Sequence, residues 1–117
     1  MIDGLISGRL VGAAQARTGQ AGRRFVTAKL RVPASDGGVV FASVITFSQS
    51  TGDALLELED GDSVTLTGSV VPRVWMDSHG EPRAALDVKA HAALTAYHVR
   101  RKRREMQQQE TTSDETN

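Results

Sequence analysis

Arg23-Arg24-Phe25-Val26-Thr27-Ala28-Lys29-Leu30-Arg31-Val32 is the stretch whose reading decides the fold. Its residues alternate strictly. Val26, Ala28, Leu30 and Val32 share one phase, and Arg23, Phe25, Thr27, Lys29 and Arg31 share the other. Successive side chains of a β-strand face opposite sides of a sheet, so this segment is a strand with an aliphatic inner face and a cationic outer one. Its ring, Phe25, falls on the cationic side. Val39 to Phe47 alternates in the same way, with Val40, Ala42, Val44 and Thr46 against Phe41, Ser43, Ile45 and Phe47. Both faces are apolar here, and small or β-branched residues suit a tight interior, which places Phe41 and Phe47 outside.

Outward from these two strands the pattern repeats. Pro33 to Gly38 joins them and is rich in Pro, Ser, Asp and Gly, the chemistry of a turn. Ser63 to Met76 reads as another strand, with Val64, Leu66, Gly68, Val70 and Val74 inward and Thr65, Thr67, Ser69, Val71, Arg73 and Trp75 outward. Asp77-Ser-His-Gly is a hairpin turn leading to a strand from Pro82 to about Ala93, with Ala84, Leu86, Val88 and Ala90 in one phase. Before Arg23, Gly4 to Gly12 reads as a first strand interrupted by Gly8, which suggests a bend or bulge. Residues 15–22 read as a loop. Between the third and fourth strands alternation stops, and Asp53-Ala-Leu-Leu-Glu-Leu reads as a short helix with Ser50 or Thr51 as candidate N-cap. The expected class is all-β: five strands with one short helix between strands 3 and 4, the order of the OB-fold, a partly open Greek-key barrel.

A length of 117 residues fits one domain, expected over 1–98, followed by a basic and then polar flexible tail over 99–117. The absence of cysteine excludes disulfides and thiolate metal sites. No apolar run reaches membrane-spanning length and the start shows no signal-peptide pattern, so a cytoplasmic setting without membrane partners is expected. The formal net charge is zero, yet the charges are segregated. Asp53, Glu57, Glu59, Asp60 and Asp62 crowd one segment, while Arg100, Arg101, Lys102, Arg103 and Arg104 form a run near the end. A neutral total of this kind can hide a basic face opposite an acidic one.

Four of the five aromatic residues, Phe25, Phe41, Phe47 and Trp75, thus fall in the outward phase, among cations. Flat bases on a polyanionic strand are a use for such a surface. Trp75, Phe41 and Phe47 are the candidate stacking residues. Arg23, Lys29, Arg31, Arg73 and Lys89, in the same phase, are the candidate phosphate contacts. Phe25 reads as cover for the sheet. Arg24 falls in the inward phase at a strand start, where it can turn out. The competing readings are a solvated charged face and rings buried against another subunit. His79, His91 and His98 show no metal-site spacing, and there is no nucleophile–base pair or phosphate loop. Neither enzymatic activity, a cofactor nor a metal is expected.

Several segments in order resemble bacterial single-stranded DNA-binding proteins. These are Leu5-Ile-Ser-Gly-Arg-Leu, Val39-Val-Phe-Ala-Ser-Val-Ile-Thr-Phe, Leu58-Glu-Asp-Gly-Asp-Ser-Val-Thr-Leu-Thr-Gly and Arg73-Val-Trp-Met-Asp-Ser-His-Gly, spread over roughly residues 2–97. The resemblance implies an OB-fold that assembles as a homodimer or homotetramer and stacks bases on outward rings, with Phe41, Phe47 and Trp75 at the stacking positions. It implies roles in DNA replication, repair or recombination. The chain departs from that family in two places. The turn at Pro33 to Gly38 lacks a loop aromatic, and the C-terminus lacks the acidic tip ending in Pro-Phe that recruits partner enzymes. A tail-less accessory protein, or a primosomal replication protein that binds replication or primosome partners, is the alternative. RNA is as open as DNA, because nothing in the sequence reads or rejects a 2′-hydroxyl.

Overall fold

The computed structural model describes residues 2–95. The expectations for the basic run and the polar end lie outside the described residues. The elements are β1 (Asp3–Leu10), β2 (Gln15–Thr18), β3 (Arg24–Pro33), β4 (Val39–Thr46), α1 (Gln49–Leu56), β5 (Ser63–Met76) and β6 (Pro82–Thr95), with a single 3-10 turn at Gln20–Gly22. The strands form one sheet in the order β1-β5-β6-β4-β3-β2, closed into a ring by a β1–β3 pairing at Arg9↔Arg31 and Leu10↔Leu30. Only β4 and β6 run parallel; the other pairs are antiparallel.

Six strands stand where five were expected, because the segment read as a loop holds β2. It pairs with β3 from Gln15↔Thr27 to Thr18↔Arg24. β1 and β2 are two halves of one path along β3, linked by the Val11 N–H donating to the Lys29 carbonyl at 2.8 Å. β1 turns from β5 onto β3 at Gly8, where a β-carbon would lie 2.6 Å from the Arg31 carbonyl oxygen. That approach excludes any side chain and explains the glycine inside the strand.

The inward phase of β3 and β4 is as read: Val26, Leu30, Ala42, Val44 and Thr46 are buried. With Leu10, Val64, Leu66, Val88 and Ala90 they fill the barrel, and α1 closes one end by inserting Leu55. The helix starts a turn earlier than the sequence suggested, with Ser48 as N-cap accepting from the Thr51 N–H. Gly52 permits this seating, since a β-carbon there would lie 2.8 Å from Val26 Cγ2.

β6 carries an irregularity. Thr67 pairs with Ala92 while Gly68 pairs with Ala90, so His91 is an extra residue. The bulge reverses the phase of the residues after His91, and Thr95 rather than an even-numbered residue turns inward. β4 has left the sheet by this point. The Thr46 and Thr51 hydroxyls donate to the Ala90 and His91 carbonyls at 2.9 and 3.2 Å in place of a ladder partner. Beyond Arg73 and before Ala85, where β6 no longer pairs with β4, the β5–β6 hairpin runs past the barrel. Val74, expected inward, is therefore 69% exposed and Ala84 opposite it is exposed too.

Candidate nucleic-acid interface

The ladder registers assemble the outer face row by row. Arg31, Phe41, Ala85 and Arg73 lie in one row across β3, β4, β6 and β5. Lys29, Ser43, Asp87 and Val71 form the next, and Thr27, Ile45, Lys89 and Ser69 the one after. Ala85 is buried although it sits on this outer face, between Phe41 and Arg73 in register. Phe25 and Phe47 mark the end of the face, with ring centroids 5.9 Å apart and planes tilted by 47°.

Each of the barrel's outer rings except Phe25 is met by a cation. Lys29 Nζ lies 5.0 Å from the Phe41 centroid. Arg23 Cζ lies 4.1 Å and Lys89 Nζ 5.5 Å from that of Phe47. The negative face of an aromatic ring attracts such groups, which holds the charges close over the sheet instead of letting them swing into solvent. Among the described residues, Arg23, Lys29, Arg31 and Lys89 make no ion pair with a carboxylate.

The expected site residues therefore fall into two groups. Phe41, Phe47, Arg23, Lys29, Arg31 and Lys89 come together on the barrel, and Phe25, read as cover, joins them beside Phe47. Arg73 ends the Phe41 row at the barrel's edge, across Ala85, and Trp75 lies farther along, on the projecting hairpin. Trp75 is 41% exposed and pairs in register with Arg83. Arg73 is not a free cation: its guanidinium lies 3.1 Å from the Asp87 carboxylate, both side chains about half exposed. Exposed pairs of this sort are worth about 0–1 kcal/mol, so a phosphate can compete for the arginine. Asp87 is the one carboxylate on strands β3, β4, β5 and β6. The sequence phase could have found it, but its partner is set by the β5–β6 register alone.

The remaining cations are engaged elsewhere. Arg24 turns out to solvent and lies 3.6 Å from Asp53 of α1. Arg9 donates to the Gly61 carbonyl at 3.0 Å, and Arg17 donates to Thr27 Oγ1 and Gln15 Oε1 at 3.2 and 2.7 Å. Arg31 also borders a groove of about 650 Å³ under the β3–β4 turn, shared with Arg9, Val39 and Leu94. The hairpin tip is fixed by Asp77, which accepts from the His79 and Glu81 N–H groups and, at 2.9 Å, from Arg83. These donors, the Glu81 N–H foremost, hold the Asp77 carboxyl below its ordinary value. No group of three or more potential metal ligands occurs among the described residues. No helix among them is long and apolar enough to cross a membrane.

No family model matches the chain, and no relative is found among curated proteins. Solved structures do match. The small single-stranded DNA-binding protein of Streptomyces coelicolor is 22% identical, with a TM-score of 0.62 over 80% of this chain and 93% of that one. The mitochondrial single-stranded DNA-binding protein Rim1 of S. cerevisiae is 14% identical, with a TM-score of 0.61 over 81% of this chain and 94% of that one. A Plasmodium falciparum SSB, solved with single-stranded DNA, is 14% identical with a TM-score of 0.59 and covers the same shares. The fold of this chain is the OB-fold of single-stranded DNA-binding proteins.

Proposed function

We propose that this chain, built on the fold of single-stranded DNA-binding proteins, itself binds single-stranded DNA with little sequence preference. One observation carries the reading: the outward rings Phe41 and Phe47 and the uncompensated cations Arg23, Lys29, Arg31 and Lys89 share one face. Bases stack on Phe41 and Phe47, and on Trp75 where the strand passes along the hairpin. The cations track the phosphates, and Arg73 joins them when a phosphate displaces Asp87. Base–aromatic stacking needs only a π-face, which is why it tolerates any sequence. The proposal includes no catalytic step. It places the protein in DNA replication, repair or recombination in the cytoplasm, with residues 99–117 as a basic, then polar, extension.

We assign self-association to a different surface. The hairpin's other face presents Pro72, Val74 and Met76 opposite Leu86, Ala84 and Pro82, with Val74 69% and Met76 61% exposed. Trp75 points to the opposite side. Aliphatic residues exposed in a contiguous strip suit a subunit contact, which leaves the rings free for bases. The test combines anisotropy of a labelled thymine oligomer with light-scattering mass for Trp75→Ala and Phe41→Ala. Each variant is expected to lose affinity by about 1–3 kcal/mol at unchanged mass. Dissociation of the oligomer with DNA affinity intact overturns the reading and makes the rings an interface.

A further inference from the structure

Beyond the end of β4 the stacking face opens into a cavity of about 330 Å³. Phe25, Phe47 and Val26 line it from the barrel, and Gln49, Gly52 and Asp53 line it from the start of α1. That volume lies at the small end of ligand pockets and suits one planar heterocycle. The helix is bare where it meets the strand: a β-carbon on Gly52 would collide with Val26.

Of the cavity's polar groups one is unspent and one is loosely held by Arg24, which also lines the cavity. Among the described residues the Gln49 amide makes no hydrogen bond, and the Asp53 carboxylate meets only Arg24, at a long 3.6 Å. Ser48, by contrast, is committed to the Thr51 N–H and to Ser50. A carboxylate at neutral pH only accepts, while an amide both donates and accepts. Adenine, cytosine and guanine each carry an exocyclic amine that donates. Adenine also offers the donor–acceptor pair that a glutamine amide matches, with a second amine hydrogen left over, whereas thymine has a single donor, its N3–H, between two carbonyls. A thymine that gives its one N3–H to Asp53 has no donor left for the Gln49 carbonyl, whereas an amine has a hydrogen for each.

We propose that this cavity is a subsite for one nucleobase bearing an exocyclic amine, stacked against Phe47 and read by Gln49 and Asp53, in preference to thymine. The proposal rests on the single-stranded DNA reading and adds one selective position to an otherwise tolerant path.

The test uses the full chain and competition anisotropy at fixed salt. Competitors are an all-thymine oligomer, the same oligomer with one central adenine, and one with unsubstituted purine at that position, which lacks the amine. An oligomer longer than the site offers several binding registers, so a single adenine can reach the pocket. The adenine oligomer is expected to compete about five- to tenfold better than all-thymine. The purine oligomer is expected to match all-thymine, and Gln49→Ala and Asp53→Asn to erase the adenine advantage. Both positions are exposed, so folding is not at risk. All-thymine binding with no adenine advantage overturns the subsite and leaves the DNA-binding reading standing. Equal gain from adenine and purine, or an advantage that persists in both variants, also overturns it. Failure of every oligomer to bind overturns the DNA-binding reading itself.

Discussion

Exchanging single charges on the outer face should move the salt dependence of DNA binding in opposite directions. Arg23, Lys29, Arg31 and Lys89 are uncompensated by any described carboxylate, while Arg73 is neutralised by Asp87 at 3.1 Å. Each phosphate neutralised on a single strand contributes a slope of about 0.7 in log K against log salt. Four cations thus give a slope near −3 per engaged protomer, or about a fiftyfold loss of affinity between 50 and 200 mM salt. Lys29→Gln should make the slope shallower by about 0.7, so its deficit shrinks about 2.5-fold over that range. Asp87→Asn should steepen the slope by a similar amount, because Arg73 then neutralises a phosphate without freeing a carboxylate that takes up a salt cation in exchange. The double variant Asp87→Asn with Arg73→Gln should return to the wild-type slope. The assay is anisotropy of a labelled thymine oligomer over a series of salt concentrations. An unchanged slope in both Lys29→Gln and Asp87→Asn would refute the assignment of this face to phosphates.

The packing and the hairpin tip set three further outcomes. Gly68→Ala places a β-carbon on the Lys89 carbonyl, backbone that cannot yield, and should destabilise the protein by about 1–3 kcal/mol in urea unfolding. Thr46→Val removes the donor to the buried Ala90 carbonyl and should cost about 1–3 kcal/mol in the same assay, although the side chains are of similar shape. The Asp77 carboxyl, held down first by the Glu81 N–H, should titrate below 3.8 in an NMR pH series. Its contribution to hairpin stability is present above its ordinary pKa and is lost as pH falls through the lower folded value; a midpoint at or above 3.8 contradicts this.

What the sequence displayed and what it hid have physical reasons. Strands β3 and β4 were legible because each keeps a period of two with one buried face. β2 left no trace: all four of its residues are exposed, so no apolar phase marks it. The helix was read late because Gln49-Ser50-Thr51-Gly52 looks like a loop, while Gly52 is there to pass close to Val26. The reversal of phase in β6 was hidden because the bulge residue is His91 and the close contact falls on Gly68 across the ladder. Among the rings, outward phase alone set Phe25, Phe41, Phe47 and Trp75 on the side away from the core, but the Phe25–Phe47 contact and the Arg73–Asp87 pair depend on registers between strands, which no single strand encodes.

The central claim, that the outward rings of this sheet stack on bases, is tested most directly by the fluorescence of Trp75, the only tryptophan in the chain. Titrating the folded protein with a thymine oligomer at low salt should quench that emission to saturation, and added salt should restore it. Emission that stays unchanged while anisotropy reports a bound oligomer would contradict stacking at Trp75 and remove the hairpin from the path of the strand.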